Sequence, residues 1–424
     1  MDEHEALIDP AMLRGLTGRR YSRRDVLRLT GAGAGALGVG ALLSACGVSG
    51  GGKKVNTSKD AVAAFWDKQK ATGQFNFANW PLYIDVGSSK NDHPTIDMFE
   101  KKTGIKVKYF EVIQDDGPFF AQVSPALKAH QYSGYDLAVI TNGVYLSDFI
   151  DLGYLVPLDH AKLPNFFKYA SAKYQNPTYD PGNKFSLPWQ SGMTGIGYNR
   201  KLVGRKITSF YDLFDPAFKG KVGMFADNED LPNAMLVAMG LDPAKTTEKD
   251  WRKAATKLEA QKNAGIVRKY YTQDYITALS NGDTWISQAW SGDIFQANAS
   301  GASDLEFIIP KEGGLLWTDN MVILQQAKNA LSAIEWMNFV YQPRIAALLA
   351  EGINYVTPVP GAKAYIERDA AASTGSTKAG LLQLAQSPLI FPTTADYDKL
   401  YRYRVLSQSE LTTWNSIFQP IYQS

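Results

Sequence analysis

FNFANWPLYIDVGSSKNDHPTIDMFEKKTGIKVKYF, residues 75–110, passes from strand to helix and back to strand within one short stretch. Phe75 to Asn79 is strand-like and ends in the turn-like Asn79-Trp80-Pro81. Ile96 to Thr103 reads as a helix stopped by Gly104, with Lys101 and Lys102 in the last turn, where cations suit the helix dipole. Ile105 to Phe110 is the next strand. The alternation continues outward, since Tyr135 to Ile140 is another apolar strand running into the loop Thr141-Asn142-Gly143. Trp251, Ala255 and Leu258 sit at helical spacing with charges between them, the mark of a surface helix with one buried stripe. Leu331, Ile334, Met337 and Tyr341 read the same way, and Pro343 closes that segment. Arg368 to Gly380 is small and polar and reads as a loop. Apolar runs alternating with amphipathic helices define an α/β chain with mainly parallel sheets.

Ahead of this body lies a segment of another kind. Ser22 to Arg28, SRRDVLR, is a twin-arginine export signature: Arg23 and Arg24 precede a modestly apolar run from Leu29 to Ala45. That run ends in Leu43-Ser44-Ala45-Cys46, which resembles the lipobox of bacterial lipoproteins, where the cysteine thiol accepts diacylglycerol. A membrane-spanning helix needs about 20 strongly apolar residues. Here there are 17, five of them glycine, which opposes a stable helix. Gly33, Gly35 and Gly38 spell GxGxxG, but an Arg-rich leader precedes them where a dinucleotide loop requires a strand. Cys46 is the single cysteine, so no disulfide can form within one molecule, and its expected use is lipidation. Residues 1–45 are therefore expected to be a signal peptide and residues 46–74 a lipidated cysteine with a flexible Gly- and Ser-rich tether. What remains of the 424 residues is too long for one ordinary core and suits two domains. The leader holds six arginines and five acids, so a net charge of +2 falls to +1 on its removal. Such a near-neutral chain gives no reason to expect nucleic acid as a partner.

Aromatic residues stand beside carboxylates at several predicted strand ends. Trp317 and Asp319 are two apart and share one face of a strand. Trp290 and Asp293 lie in Trp290-Ser291-Gly292-Asp293, where Gly292 permits a tight turn bringing both into one cleft. Asp227 and Asp230 flank Asn228 and Glu229 in a loop entering a helix, and Trp80 and Tyr83 close the first strand. Each has a plainer use: a helix cap for Asp227 or Asp230, core packing for Trp290 and Trp317, a staple of the first loop for Trp80 and Tyr83. Jointly they suit an alkyl ammonium ligand, because ring faces take methylenes and cations while carboxylates supply charge-assisted hydrogen bonds. Acids converging without a cation would repel one another and raise each other's pKa. Open α/β sheets bind ligands outside the carboxyl ends of their strands, where these residues fall.

Asn79 to Tyr83 (NWPLY), 99–107 (FEKKTGIKV), 135–139 (YDLAV), 209–222 (SFYDLFDPAFKGKV), 289–295 (AWSGDIF), 310–320 (PKEGGLLWTDN) and 354–358 (NYVTP) together resemble the polyamine-binding receptors of ATP-driven importers. The resemblance implies a type II periplasmic-binding-protein fold, two α/β lobes with mainly parallel sheets joined by a multi-crossover hinge. Residues 75–190 with 312–363 would form one lobe and 191–311 with 364–424 the other, with crossings near Gln190, Lys311 and Lys363. It implies ligand contacts by Trp80, Tyr83, Asp227, Asp230, Trp290, Asp293, Trp317, Asp319 and Tyr355. It also implies a polyamine as ligand, ABC transporter permease subunits as partners, a monomer held to the membrane by its lipid, and no cofactor or metal. Asp293 resembles the receptors for the shorter diamine. Pro81 and Leu82 stand where the family usually carries an acid, and Tyr403 or Arg404 where it carries an amide. An arginine there would suit an anionic or zwitterionic ligand.

Two rivals rest on other residues. Tyr270 and Tyr271 follow Arg268 and Lys269, a set that could hold ferric iron with a synergistic anion, although the carboxylate and imidazole ligands expected beside them are not evident. An aromatic strand segment is the plainer reading. A secreted hydrolase would need a base, yet His93, His130 and His160 are scattered, without HxxxH pairing or a GxSxG elbow. Asp227 and Asp230, three apart beside tryptophans, suit clamping better than glycosidase chemistry. The expectation is a binding protein, not an enzyme.

Overall fold

The computed structural model describes residues 55–89, 91–301 and 304–423. The leader, Arg23, Arg24 and Cys46 lie outside the described residues. Ten strands form one twisted sheet: β1 (Gln74–Asn79), β2 (Lys106–Glu111), β3 (Leu137–Thr141), β4 (Ser186–Asn199), β5 (Val222–Phe225), β6 (Val267–Tyr271), β7 (Ile286–Trp290), β8 (Leu305–Ile308), β9 (Gly314–Ile323) and β10 (Leu400–Tyr401). The order is β2-β1-β3-β9-β4-β7-β5-β6, with β10 beside β9 and β8 beside β4. β1 pairs in parallel with β2 and β3, and β5 in parallel with β6 and β7. Between these two parallel halves run β4 and β9, antiparallel to each other and buried along nearly their whole length. Both read as near-continuous apolar or small residues because both their faces are covered.

Helices cover the sheet: α1 (Lys59–Trp66), α2 (Pro94–Thr103), α3 (Asp116–Lys128), α4 (Val144–Asp151), α5 (Asp230–Ala238), α6 (Glu248–Asn263), α7 (Ser291–Ala299), α8 (Ala330–Phe339), α9 (Pro343–Ile353), α10 (Ala362–Ala372), α11 (Gly375–Gln386) and α12 (Gln408–Tyr422) are those that bear on the site or its frame. α2 stops where expected, since Gly104 takes the left-handed conformation (φ 75°) at its C-cap and donates to Glu100 O. Under the first half, Phe75 and Phe77 of β1 meet Phe99 of α2 and Trp336 of α8, all fully buried, with ring centroids 5.2 to 6.4 Å apart. Each such side chain contributes about 1.5–3 kcal/mol by leaving water. Under the second half, Trp251 and Leu258 of α6 provide the buried stripe their spacing predicts.

Several expectations are corrected. The tether does not extend through residue 74, because 59–66 is helical and Trp66, 3 % exposed, donates from Nε1 to Pro157 O at 2.9 Å. One buried tryptophan outweighs the small polar residues before it. Arg368 to Gly380 is helix, not loop: α10 and α11 bury Ile366, Ala370, Leu381 and Leu384, a stripe too dilute for the polar composition to reveal. Pro343 opens α9 at its first turn instead of closing α8, a position where its missing N–H costs nothing. The three expected crossings fall at a register shift in β4 (Gln190), in the turn before β9 (Lys311) and inside α10 (Lys363).

Candidate functional site

The carboxyl ends of β3 and β7 meet the two long antiparallel strands, β9 and β4, and Trp290 lies opposite Thr194 of β4. Asp319, in the centre of β9, lies opposite Thr141 at the end of β3 and opposite Gln190 in β4. Trp290 ends β7, and Asp227 and Asp230 follow β5 at the entrance to α5. A row of rings links the two halves. Phe225 packs on Trp290 (4.7 Å between centroids), Trp290 meets Trp317 edge-on (6.5 Å), Trp317 meets Tyr355 (5.4 Å) and Tyr355 meets Tyr83 (5.8 Å).

Almost every polar ring atom in this row aims at a carboxylate. Trp290 Nε1 donates to Asp230 Oδ2 (2.7 Å), Tyr355 OH to Asp293 Oδ1 (2.7 Å) and Tyr83 OH to Asp319 Oδ2 (2.6 Å). Tyr403 OH donates to Asp230 Oδ1 (2.7 Å), Tyr275 OH to Asp293 Oδ2 (3.1 Å) and Thr141 Oγ1 to Asp319 Oδ1 (2.6 Å). Trp317 Nε1 is the exception, buried without a partner. Asp230, Asp293 and Asp319 are each 4–6 % exposed.

Charge makes the cluster costly. Burial pushes Asp319 up to about 6 and Glu229 up to about 8, the latter helped by the charges of Asp227 and Asp230. Asp227 and Asp230 are both raised, first by burial, and in Asp227 also by its neighbour. Burial drives Asp116 well above the ordinary carboxylate range, with Glu229 and Asp319 adding to it. Among the described residues no lysine or arginine forms an ion pair with Asp116, Asp227, Glu229, Asp230, Asp293 or Asp319. Buried anions of this kind are ordinarily neutralised by a cation.

Of the nine candidate residues, seven meet in this row: Tyr83, Asp230, Trp290, Asp293, Trp317, Asp319 and Tyr355. Asp227 sits beside them but spends Oδ1 on the amides of Glu229, Asp230 and Leu231 (2.6 to 3.2 Å), which is the capping role. Trp80 stands at the edge, its Nε1 given to Val139 O at 3.0 Å. Gly292 is not in a tight turn. It lies in the first turn of α7, and what it supplies is room, since a Cβ there would strike the Tyr355 ring. Arg404 does not face the site. It bonds Glu410 (2.7 Å) and Ala244 O (3.1 Å) and lies over Trp251, so the residue that completes the row at this place is Tyr403. Tyr270 and Tyr271 are on edge strand β6, where Lys269 pairs with Asp274 (2.8 Å) and lies over Tyr271. Among the described residues no group of three or more His, Cys, Asp or Glu is arranged to hold a metal ion.

Tyr275, Thr141, Asp116 and Glu229 escaped the sequence reading. Tyr275 and Thr141 carry no local signal, because an isolated hydroxyl at a helix start or a strand end has many uses. Asp116 follows Asp115, a helix cap that accepts from Gly117 N at 2.8 Å, and Glu229 lies between two acids read as the functional ones.

The model for bacterial extracellular solute-binding proteins matches residues 95–374. The spermidine/putrescine-binding periplasmic protein of Salmonella typhimurium is 30 % identical over 283 residues, 66 % of this chain and 76 % of that protein. A putrescine-binding periplasmic protein of Escherichia coli is 27 % identical over 350 residues, 77 % of this chain and 85 % of the other. Among solved structures, the spermidine/putrescine ABC transporter substrate-binding protein of Streptococcus pneumoniae superposes with a TM-score of 0.68 at 23 % identity, covering 82 % of this chain and 98 % of that one. The likeness in structure extends over both halves of the sheet, the arrangement of the type II periplasmic-binding-protein fold.

Proposed function

The chain belongs to the bacterial extracellular solute-binding protein family, and from that premise we propose that it captures a polyamine of the putrescine or spermidine class and delivers it to an ABC transporter permease. The observation that carries this reading is the row of buried carboxylates interleaved with ring faces and free of ion pairs among the described residues. A polyamine supplies what that row needs: ammonium groups for Asp230, Asp293 and Asp319, and methylenes for the faces of Trp290, Trp317 and Tyr355. Capture requires no covalent step. The acids and rings come from both halves of the sheet, so ligand binding favours the closed arrangement by the difference in its affinity for the closed and open forms. An anionic or zwitterionic ligand has no support, because Arg404 is committed elsewhere.

Calorimetry with diamines and triamines tests the site. Asp319→Asn and Trp290→Ala should each weaken binding at least tenfold, about 1.4 kcal/mol. Wild-type affinity in both variants would sink the assignment. We further propose that lipid on Cys46 keeps this receptor beside its permease, supported by the LSAC run after a twin-arginine leader. Mass spectrometry of the membrane-extracted protein should find an acylated Cys46 at the N-terminus, and an unmodified thiol would refute the anchor.

A further inference from the structure

The turn between β3 and α4 gathers carboxylates from three elements. Thr141 N donates to Asp116 Oδ2 (3.2 Å) and Thr141 Oγ1 to Asp319 Oδ1 (2.6 Å), so one residue bridges an acid of α3 to an acid of β9. Three residues on, Val144 N donates to Glu229 Oε1 (2.9 Å), and Glu229 arrives from the other half of the sheet. It fits only because Gly143 has no side chain, as a Cβ there would collide with its carboxylate. Asp116 is 8 % exposed, and its Oδ1 is buried with no hydrogen-bond partner. A carboxylate oxygen left in that state costs more than an ordinary lost hydrogen bond, and native proteins seldom leave one without a use.

We propose that Asp116 and Asp319 together seat one primary ammonium end of the ligand, with Glu229 closing over it from the opposite half. This rests on the polyamine reading and goes beyond it in two respects. It adds two ligand carboxylates, from α3 and from the entrance to α5, that the aromatic row does not include. It also sets the chemistry of the end group, because a primary ammonium offers three N–H donors, one of them to the unpartnered Asp116 Oδ1. A quaternary ammonium carries the same charge and no donor, so the seat discriminates between the two where a ring face would not. The high proton affinity that burial gives Asp116 is consistent with an oxygen that awaits a cation.

Calorimetry with 1,4-diaminobutane and its hexamethyl bis-quaternary derivative, at one pH above 8, separates these roles. Asp116→Asn should weaken the diamine about tenfold or more while changing the bis-quaternary compound less than about threefold. Glu229→Gln, which keeps an oxygen for Val144 N, should show the same pattern more weakly. Thermal melting of ligand-free Asp116→Asn at or above the wild-type temperature will show that the variant is folded, since Asn keeps an oxygen for Thr141 N. Unchanged diamine affinity in Asp116→Asn, or equal losses for both compounds, would overturn the seat alone. Failure of the wild type to bind either compound would overturn the polyamine reading and the seat with it.

Discussion

Arg404 and Tyr403 are neighbours in sequence and do opposite work. Tyr403 turns inward and gives its hydroxyl proton to Asp230, while Arg404 turns outward to Glu410 and the carbonyl of Ala244. An extended backbone sends successive side chains to opposite faces, so a shift of one position decides which of them reaches a ligand. Arg404→Met should therefore leave polyamine affinity within about twofold of wild type and lower stability by about 1 kcal/mol, the scale of a partly exposed ion pair. Calorimetry and thermal melting read the two effects separately, and a tenfold loss of affinity would return Arg404 to the site. The same scale explains what sequence could and could not disclose. Trp317 and Asp319 were legible because alternation along a strand fixes their common face, and Trp290 because it abuts an acid in a short run. Asp116 was not, since an acid next to a helix cap looks like a second cap until its unpartnered oxygen is seen in space.

Elements far from the ligand hold the acidic loop in place. α12 sets Trp414 and Asn415 against the loop at 227–230: Trp414 Nε1 donates to Asn228 O (2.7 Å), and Asn228 Nδ2 to Asn415 Oδ1 (3.1 Å). The same tryptophan meets Trp251 of α6 edge-on at 5.1 Å, so α12 fastens the loop to the helix layer behind β5. Trp414→Phe keeps most of that packing and removes the donor. It should cost about 1 kcal/mol of stability by denaturant unfolding and weaken polyamine binding severalfold, because Asp230 is then less firmly aimed. Full stability with unchanged affinity would show that the loop holds itself. α12 carries its buried positions at regular helical spacing, Trp414, Ile417, Phe418 and Ile421, whereas the apolar stripe of α10 and α11 is too dilute for period alone to mark. β1 and β2 were legible from their alternating aromatic and aliphatic residues, and α2 from its glycine stop at Gly104.

For the whole molecule, the decisive quantity is the charge enclosed between the halves. Without ligand, Asp319 titrates near 6 and Glu229 near 8, against about 3.8 and 4.5 for the free side chains, and burial is the main cause in both. A carboxylate whose folded pKa lies above its unfolded one holds a proton that the unfolded chain has lost, so the folded state is favoured at the acid end of the window and loses that advantage as pH rises through the folded pKa. The ligand-free protein should accordingly melt at a lower temperature at pH 8 than at pH 5. A polyamine reverses the sign, because its ammonium groups favour the ionised carboxylates. Binding at pH 7 should expel protons from Glu229 and its neighbours, and affinity should strengthen between pH 6 and pH 8, where the amines stay charged. Titration calorimetry at pH 7 in two buffers of different ionisation enthalpy measures the protons directly. Net proton release with tighter binding at pH 8 is the expected result. No net proton exchange, with an affinity flat across that range, would mean that the carboxylates are already ionised before the ligand arrives and that their raised proton affinity plays no part in binding.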